Sequence, residues 1–512
     1  MEHDGRLESA AFELSRHFFL GNEHKKCFRY SMMAAEIAEG QYAPEMAIEQ
    51  YSRALTSVKH VDGLIFEKPR LYLRIGENHN LMGYLDEAEM SFRKAITAAK
   101  KQGDEKTVAT GKIALGKVLC IKSELDESLV LTEDGMTFFE SSKDDAKIFS
   151  AMTNLGYLYY FKGEFAKALS NYSEQLALAE KMGDELRMGK VLSDVGSVYS
   201  ETGEYDKAFT NNLKYLEVAD KLGDRPAISE ALSGLASVSF YMRRYEEAAE
   251  YYRRLISNAK KSKDFFMENL GLIGLGAVCE VLGLYDEGKI AACKAIAYSK
   301  KLSHTQGLPY ALIYLGKLEM ASGNYDHACQ HFQEALEISI SLDAKRTISF
   351  ARCCLGHLSK RTGDMRSAES HLKDAIVVAK KANNHHILSE SLLLLAEMRY
   401  DTGNYDAAKQ LNEEALSLAE SIGRKRTFFS TRLLEARLLY LVDKSSGMAK
   451  VKGMLSEDME KHQHAELTYQ LYKMTSDESY KRKAIELYLA LYENVPNSLF
   501  KERIAVLEGE NT

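Results

Sequence analysis

The sequence predicts an all-α fold, an α-solenoid built from stacked helical hairpins. Composition, a fixed period and helical spacing within each period carry this reading. The 512 residues include 5 Pro and no Trp, with 45% hydrophobic and 28% charged residues, so helix formers abound and helix breakers are scarce. A small residue following an apolar one recurs at Gly76, Gly116, Gly156, Gly196, Ala236, Gly276, Gly316, Gly356, Ala396 and Ala436, each step being 40 residues. Two more small positions keep the same time. A glycine often stands seven residues after the anchor, as at Gly83, Gly163 and Gly203, and an alanine five beyond that, as at Ala88, Ala168 and Ala208. A period of this length marks a repeated supersecondary unit.

The block from Asp144 to Gly183 shows how each unit is built. Ile148, Met152, Leu155, Leu158 and Tyr159 follow helical spacing, Lys162-Gly163 interrupts it, and Phe165, Ala168, Leu169, Tyr172, Leu176 and Ala179 resume it. Two antiparallel helices joined by a tight turn follow. Gly163 suits the left-handed closure of the first helix; Gly183-Asp184 supplies a C-terminal glycine and then an N-capping carboxylate, a pair repeated at Gly103-Asp104 and Gly223-Asp224. Gly156 and Ala168 are small, so the helix axes can approach within the usual ~8–10 Å.

The ends depart from this clock. At the amino terminus Ala47, Tyr51 and Ala54 occupy the second-helix positions and place the first anchor at Ala35, 41 residues before Gly76. Leu7 to Phe19 and Asn22 to Glu39 are expected to form a further helical pair. At the other end Asp443 to Ser446 replace the turn glycine, Ala484, Tyr488, Leu491 and Pro496 restore the pattern, and Lys501 to Glu508 read as a polar cap facing water. The expected organisation is atypical hairpins over 1–60, a regular array over 61–443, and degenerate repeats with a capping helix over 444–512, about twelve to thirteen hairpins in all.

The spacing Leu155-Gly156, Tyr159, Gly163, Ala168, Tyr172 resembles the tetratricopeptide repeat, in a variety longer than the standard unit of about 34 residues. The resemblance spans almost the whole chain and implies a right-handed superhelix with a concave wall lined by the first helices. The segment Ala34 to Leu55 also resembles the start of the repeat region in large bacterial and archaeal signalling proteins. There the repeats follow a signal-transduction ATPase, often linked to a nucleotide cyclase, kinase or DNA-binding output. These 512 residues hold no counterpart of that machinery.

The resemblance also implies which positions face a ligand: six, three and two before the anchor, one after it, and four or five after it. A clamp for a terminal carboxylate needs Lys and Asn at successive units, and the row here is mostly small or apolar. A grip on an extended peptide needs asparagines, of which Asn154 alone remains, with Asp194 as a shorter acidic substitute. The expected groove, running from the Gly156 unit to the Gly356 unit, is instead aromatic and small. Tyr157, Tyr160, Phe161, Phe240, Tyr241, Tyr310, Tyr314 and Phe350 flank serines that include Ser197 and Ser200, with Lys317 beside them. Aromatic side chains bury much area at low entropic cost and dominate binding hot spots.

Other chemistries find little support. GKIALGKV (Gly111 to Val118) misses the Ser or Thr that a phosphate-binding loop places after its Lys, and Gly116 is the packing anchor itself. His327 and His331 lie four apart with no third ligand near in sequence. The seven cysteines form no CxxC pair and are expected to be reduced, buried apolar residues. A net charge of −7 without a basic run argues against nucleic acid. The polar start MEHDGRLESA and the lack of a run near ~18 apolar residues suggest neither export nor a membrane span.

The expectation is therefore a cytosolic, non-enzymatic scaffold or adaptor that binds a protein or peptide segment without cofactor or metal, self-association being open. The alternative is a regulatory or sensor subunit of an ATPase-linked cyclase, kinase or transcription regulator. Replacing Ala168 with Arg drives a charge between two helices; a loss on the order of 3 kcal/mol or more in urea unfolding followed by far-UV circular dichroism is expected.

Overall fold

A computed structural model describes residues 2–41, 43–122, 124–301, 307–457 and 459–509, with side chains from Ala10 onward; Met1 and 510–512, within the two outer expected segments, lie outside it. Among the described residues there are 26 α-helices, one short 3-10 helix and no strand. Twelve consecutive pairs form hairpins, from His24–Gly40 with Pro44–Val58 to Lys461–Thr475 with Glu478–Asn494. Single helices, Glu2–Leu20 and Ser498–Glu508, flank them. The expected pairing at the amino terminus is thus corrected. His24–Gly40 gives Ala35 and Ala38 to a core with Ala47, Tyr51 and Ala54, so it is the first helix of its own hairpin and Glu2–Leu20 precedes the array.

The punctuation works as its chemistry requires. Gly183 ends a helix at φ 67°, where a side chain would be strained. The next residue, Asp184, then accepts the Arg187 backbone N–H at 3.0 Å. Asp104, Asp144, Asp224 and Asp264 cap their helices in the same way, at 3.0, 3.2, 2.9 and 3.0 Å. Each satisfies an N–H that has no partner within the helix.

Packing within a hairpin turns on the anchor. A Cβ built on Gly156 would lie 2.3 Å from the Tyr172 ring, one on Gly76 2.7 Å from Phe92, and one on Gly316 2.6 Å from Phe332. The anchor is therefore a notch for the side chain sixteen residues on. Tyr172, Phe92 and Phe332 are at most 2% exposed in these notches. At Gly276 the later residue is Ala292, 3.9 Å from such a Cβ, and the notch is slack. Gly111 and Gly116 sit inside the helix Glu105–Ile121 against Ile96 and Thr132, which accounts for both glycines of GKIALGKV as packing residues.

By compactness the chain divides into two units, Met1–Val198 and Tyr199–Thr512. The division falls inside the helix Glu185–Glu201, and the forty-residue register runs through it. In the second unit, hairpins distant in sequence touch. The Tyr205 hydroxyl donates to the Ile422 carbonyl at 3.0 Å, the backbones at Gly203 and Gly423 lie in contact, and Arg243 pairs with Glu460.

The last helix is not simply a water-facing cap. Tyr325 and Arg361 donate to Glu502 at 2.7 and 2.5 Å, Ser498 donates to the Met320 carbonyl at 3.2 Å, and Val495 packs with Tyr285, Leu318 and Ala321. An apolar residue before the helix and a carboxylate on it together fasten the C-terminal end to the turn side of earlier hairpins.

Two further expectations need adjustment. The helix Phe265–Leu282 is, by length and a mean hydropathy of 1.6, apolar enough to cross a membrane. Within the array it is the first helix of the Gly276 hairpin, with Gly271 against Ile256 and Leu255, and such a helix passes the same test when it is core. All seven cysteines are free, but Cys293 is exposed and Cys329 half-buried, unlike the five in the core.

The notch predicts a contrast. Gly156→Ala overpacks Tyr172 and should lower urea stability by about 1–3 kcal/mol. Gly276→Ala, with ordinary van der Waals room, should be neutral or stabilising by up to about 1 kcal/mol.

Candidate functional site

In the first unit, the helices Asp145–Phe161 and Glu185–Glu201 carry Asn154, Tyr157, Tyr160, Phe161, Asp194 and Ser197 of the predicted positions, with Ser200 just past the division. Asn154 is 6% exposed, and its amide donates to the Ile113 carbonyl at 2.8 Å. The group that the resemblance reserves for a partner's backbone thus ties its helix to the preceding hairpin. The Tyr157 hydroxyl donates to Asp194 at 3.2 Å, with Lys190 3.5 Å from the same carboxylate. Tyr160 sits edge-on to Phe161 at 5.4 Å, and Phe161, 38% exposed, reaches the surface. Ser197 is exposed and Ser200 half-buried on the last turns of Glu185–Glu201.

In the second unit, the first helices of three successive hairpins, Arg225–Tyr241, Phe265–Leu282 and Leu308–Ala321, enclose a cavity of about 370 Å³. Phe240, Tyr241, Tyr310 and Tyr314, all predicted, meet here, with Ser233 and Ser237 between them. Tyr252, Phe266, Asn269, Leu270 and Ile273 complete most of the wall, and Gly274, Ala277 and Gly307 supply the small positions. Among the described residues, no lining residue is charged. Burial raises the phenol pKa of Tyr241 and Tyr310, pushes Tyr252 up to about 12, and takes Tyr314 well above its ordinary range. All four therefore carry their proton at neutral pH. Lys317 and Phe350 lie outside this wall but touch it through Tyr314: the Phe350 ring is 5.8 Å away at 76°, and the Lys317 ammonium is 5.8 Å from the ring centre.

Sequence profiles described as tetratricopeptide repeat match residues 147–221, 187–261 and 346–421, and two further profiles of that repeat match 309–340 and 69–102, half of the chain together. The chain belongs to the tetratricopeptide repeat family. No curated protein sequence matches it. Among solved structures, a Rap protein complexed with competence and sporulation factor aligns with a TM-score of 0.51 at 14% identity, over 70% of this chain and 99% of that one. The apo quorum sensor NprR from B. thuringiensis aligns at 0.46 and 15% identity, over 66% and 99%. A signal transduction ATPase with a tetratricopeptide repeat sensor from Pyrococcus horikoshii aligns at 0.44 and 17%, over 72% and 55%. The Rap alignment shows a shared fold, and the repeats support a protein-interaction or regulatory role for this tetratricopeptide repeat chain.

Tyr252 is one of the wall residues that sequence reasoning missed, with Phe266, Asn269, Leu270 and Gly307. It holds the position sixteen after the anchor, where tetratricopeptide units here bury a core side chain, but its anchor is Ala236 rather than glycine. The ring finds its notch at Gly274 of the next hairpin, where a Cβ would be 2.2 Å away, and its hydroxyl reaches Ser237 at 3.3 Å. The signal in the sequence was the pairing of an alanine anchor with a glycine two before the following anchor.

Around the cavity the interior of this tetratricopeptide unit is charged and paired. Lys317 donates to Glu280 at 3.0 Å, Arg424 to Glu390 at 3.2 Å, and Lys360 to Glu397 at 2.5 Å. Burial works against the Glu390 charge, but Arg424 and Lys317 outweigh it and hold its pKa below the usual carboxylate range. Tyr241 stacks between Tyr205, 5.8 Å away at 13°, and His386, 5.2 Å away at 11°. First helices four hairpins apart therefore meet face to face.

His386 also accepts an N–H of Arg424 at 3.1 Å through Nδ1, which only a neutral imidazole can do. Burial, then Arg424 and Arg346, lower its pKa to about 3; burial lowers that of His357 to about 4. Below the usual value near 6.5 the unfolded chain binds protons that the folded chain refuses. Stability should be complete above that pH and fall progressively toward pH 4. Replacing His386 with Gln should flatten this decline in urea midpoints measured across the interval, while costing stability at neutral pH through the lost stack.

Proposed function

We propose that this chain is a non-enzymatic scaffold or adaptor that holds a segment of a protein partner on the first-helix face of its array. The observation that carries the reading is the convergence of Phe240, Tyr241, Tyr310 and Tyr314 on one uncharged cavity open to the positions at which the family meets its ligands. A cavity of about 370 Å³ falls in the range of ligand pockets and lies across three repeats. The anchors are rigid rings, which lose little entropy on binding. Tyr157, Tyr160, Phe161, Ser197 and Asp194 form a separate surface on the first unit. There Tyr157 is held by Asp194, with Asn154 fixing the helix behind it.

The partner is a protein rather than nucleic acid, in keeping with the net charge of −7. A cytoplasmic setting suits seven free cysteines. Affinity capture with the full chain, followed by mass spectrometry, tests the proposal by comparing wild type with Tyr241→Ala/Tyr314→Ala and with Tyr157→Ala. Proteins retained by wild type should be lost from the double variant, with helical content by circular dichroism unchanged. Equal capture by both chains would refute a role for this face.

A further inference from the structure

The identity of the group that enters the cavity follows from its walls. We propose that the space between Arg225–Tyr241, Phe265–Leu282 and Leu308–Ala321 is a preformed socket for one uncharged aromatic ring with a hydrogen-bonding edge, of the indole or phenol class. The ring belongs either to a Trp or Tyr side chain of the partner segment or to a free small molecule. This rests on the concave-face reading above and adds to it the chemistry that is selected.

Size comes first. The cavity of about 370 Å³ is more than twice the ~150 Å³ that accepts a benzene ring, which admits a bicyclic ring but not a helix. Charge comes second. Every lining residue among those described is uncharged, and of the ions around them Lys317 pairs with Glu280, Arg424 with Glu390 and, at 3.9 Å, Arg346 with Glu201. An ammonium or carboxylate entering the socket would lose its water and meet no counter-ion on the described lining.

Polarity comes third. Ser233, Tyr310 and Tyr314 present hydroxyls to the space, and Asn269, 5% exposed and donating its amide to Ser299 at 2.9 Å, leaves its Oδ1 without a partner among the described residues. A wholly aliphatic group would pair with none of them, whereas an indole N–H or phenol O–H can pair with one. The aromatic walls supply edge-to-face contacts for the ring itself. The walls are held in advance: Tyr241 by its stack with Tyr205 and His386, and Tyr252 by Gly274 and Ser237. Binding therefore orders little that is not already ordered. Phe266 and Leu270, 51% and 36% exposed, give the mouth an apolar rim.

The chain has no Trp, so an added indole can be excited selectively and its fluorescence anisotropy reports binding without protein background. The full chain is titrated with N-acetyltryptophanamide, with tryptamine as cation, with indole-3-acetate as anion, and with an end-blocked Gly-Gly-Trp-Gly-Gly peptide. Saturable binding of the neutral amide, at least about tenfold tighter than either charged analogue, is expected. Ser233→Phe, which fills the socket, should abolish it, and Ser197→Phe on the first unit should not. Tyr310→Phe/Tyr314→Phe keeps the rings, removes two hydroxyls and should weaken binding by about tenfold; this variant decides the matter if Ser233→Phe does not fold.

A peptide that binds tighter than the amide assigns the ring to a partner chain; an amide that binds as tightly or tighter assigns it to a free molecule. No saturable binding of the amide, equal binding of the charged analogues, or full binding by Ser233→Phe overturns the proposal. Should that happen while Tyr241→Ala/Tyr314→Ala still loses its captured proteins, the docking face stands and only its selection of a ring falls.

Discussion

The structure depends on a steric constraint that recurs along the chain: at Gly76, Gly156, Gly316 and Gly356 an anchor without a side chain on the first helix faces a large residue sixteen positions later. Where the pair is Gly156 and Tyr172, no Cβ fits, because it would stand 2.3 Å from the ring. The ring is then almost fully buried, and burial of so large an apolar surface is the main favourable term in joining the two helices. Since each hairpin can bury only one face alone, the rest of its apolar surface is covered by the neighbours before and after it. The helix Phe265–Leu282, apolar enough to pass for a membrane span, is a first helix covered in this way over 56% of its residues.

The candidate site arises where that constraint is relaxed. The Tyr252 ring sits against Gly274 rather than the alanine anchor Ala236, and a Cβ in the slack notch at Gly276 would meet the Gly288 carbonyl, Ala292 and Tyr314 only at 3.7, 3.9 and 4.0 Å. Small residues at Ser233, Ser237, Gly274 and Ala277 then leave space that the surrounding rings wall but do not fill. The displaced ring thus walls a cavity between the first helices of successive hairpins. Its neutrality is conspicuous beside the paired charges of the interior, which are satisfied by Glu280 with Lys317 and Glu390 with Arg424.

Closure within the second unit holds those walls still. In the Tyr205, Tyr241 and His386 stack, Tyr241 and His386 join first helices of distant hairpins and Tyr205 adds the start of a second helix, and the hydrogen bond from Tyr205 to Ile422 and the pair Arg243–Glu460 lie near it. At the other edge Val495 and Glu502 fasten the C-terminal end to Tyr285, Tyr325 and Arg361. An open solenoid resists bending only through nearest neighbours; contacts between its successive stretches add stiffness that the repeat interfaces alone cannot supply.

What the sequence determined by itself was everything local to one hairpin. The anchors and the caps at Asp104, Asp184 and Asp224 could be read from residue type and spacing, because helix pairing and capping act over a few to twenty residues; Asp144 and Asp264, which follow Lys rather than Gly, cap their helices in the same way. The bond from Asn154 to Ile113 and the seat of Tyr252 on Gly274 were not legible in the sequence, since each joins adjacent hairpins. The tertiary structure alone decided that Tyr241 stacks on His386 and that Val495 reaches Gly283. Those meetings depend on the small rotation from each hairpin to the next, summed over several repeats, and no spacing within one repeat encodes that sum.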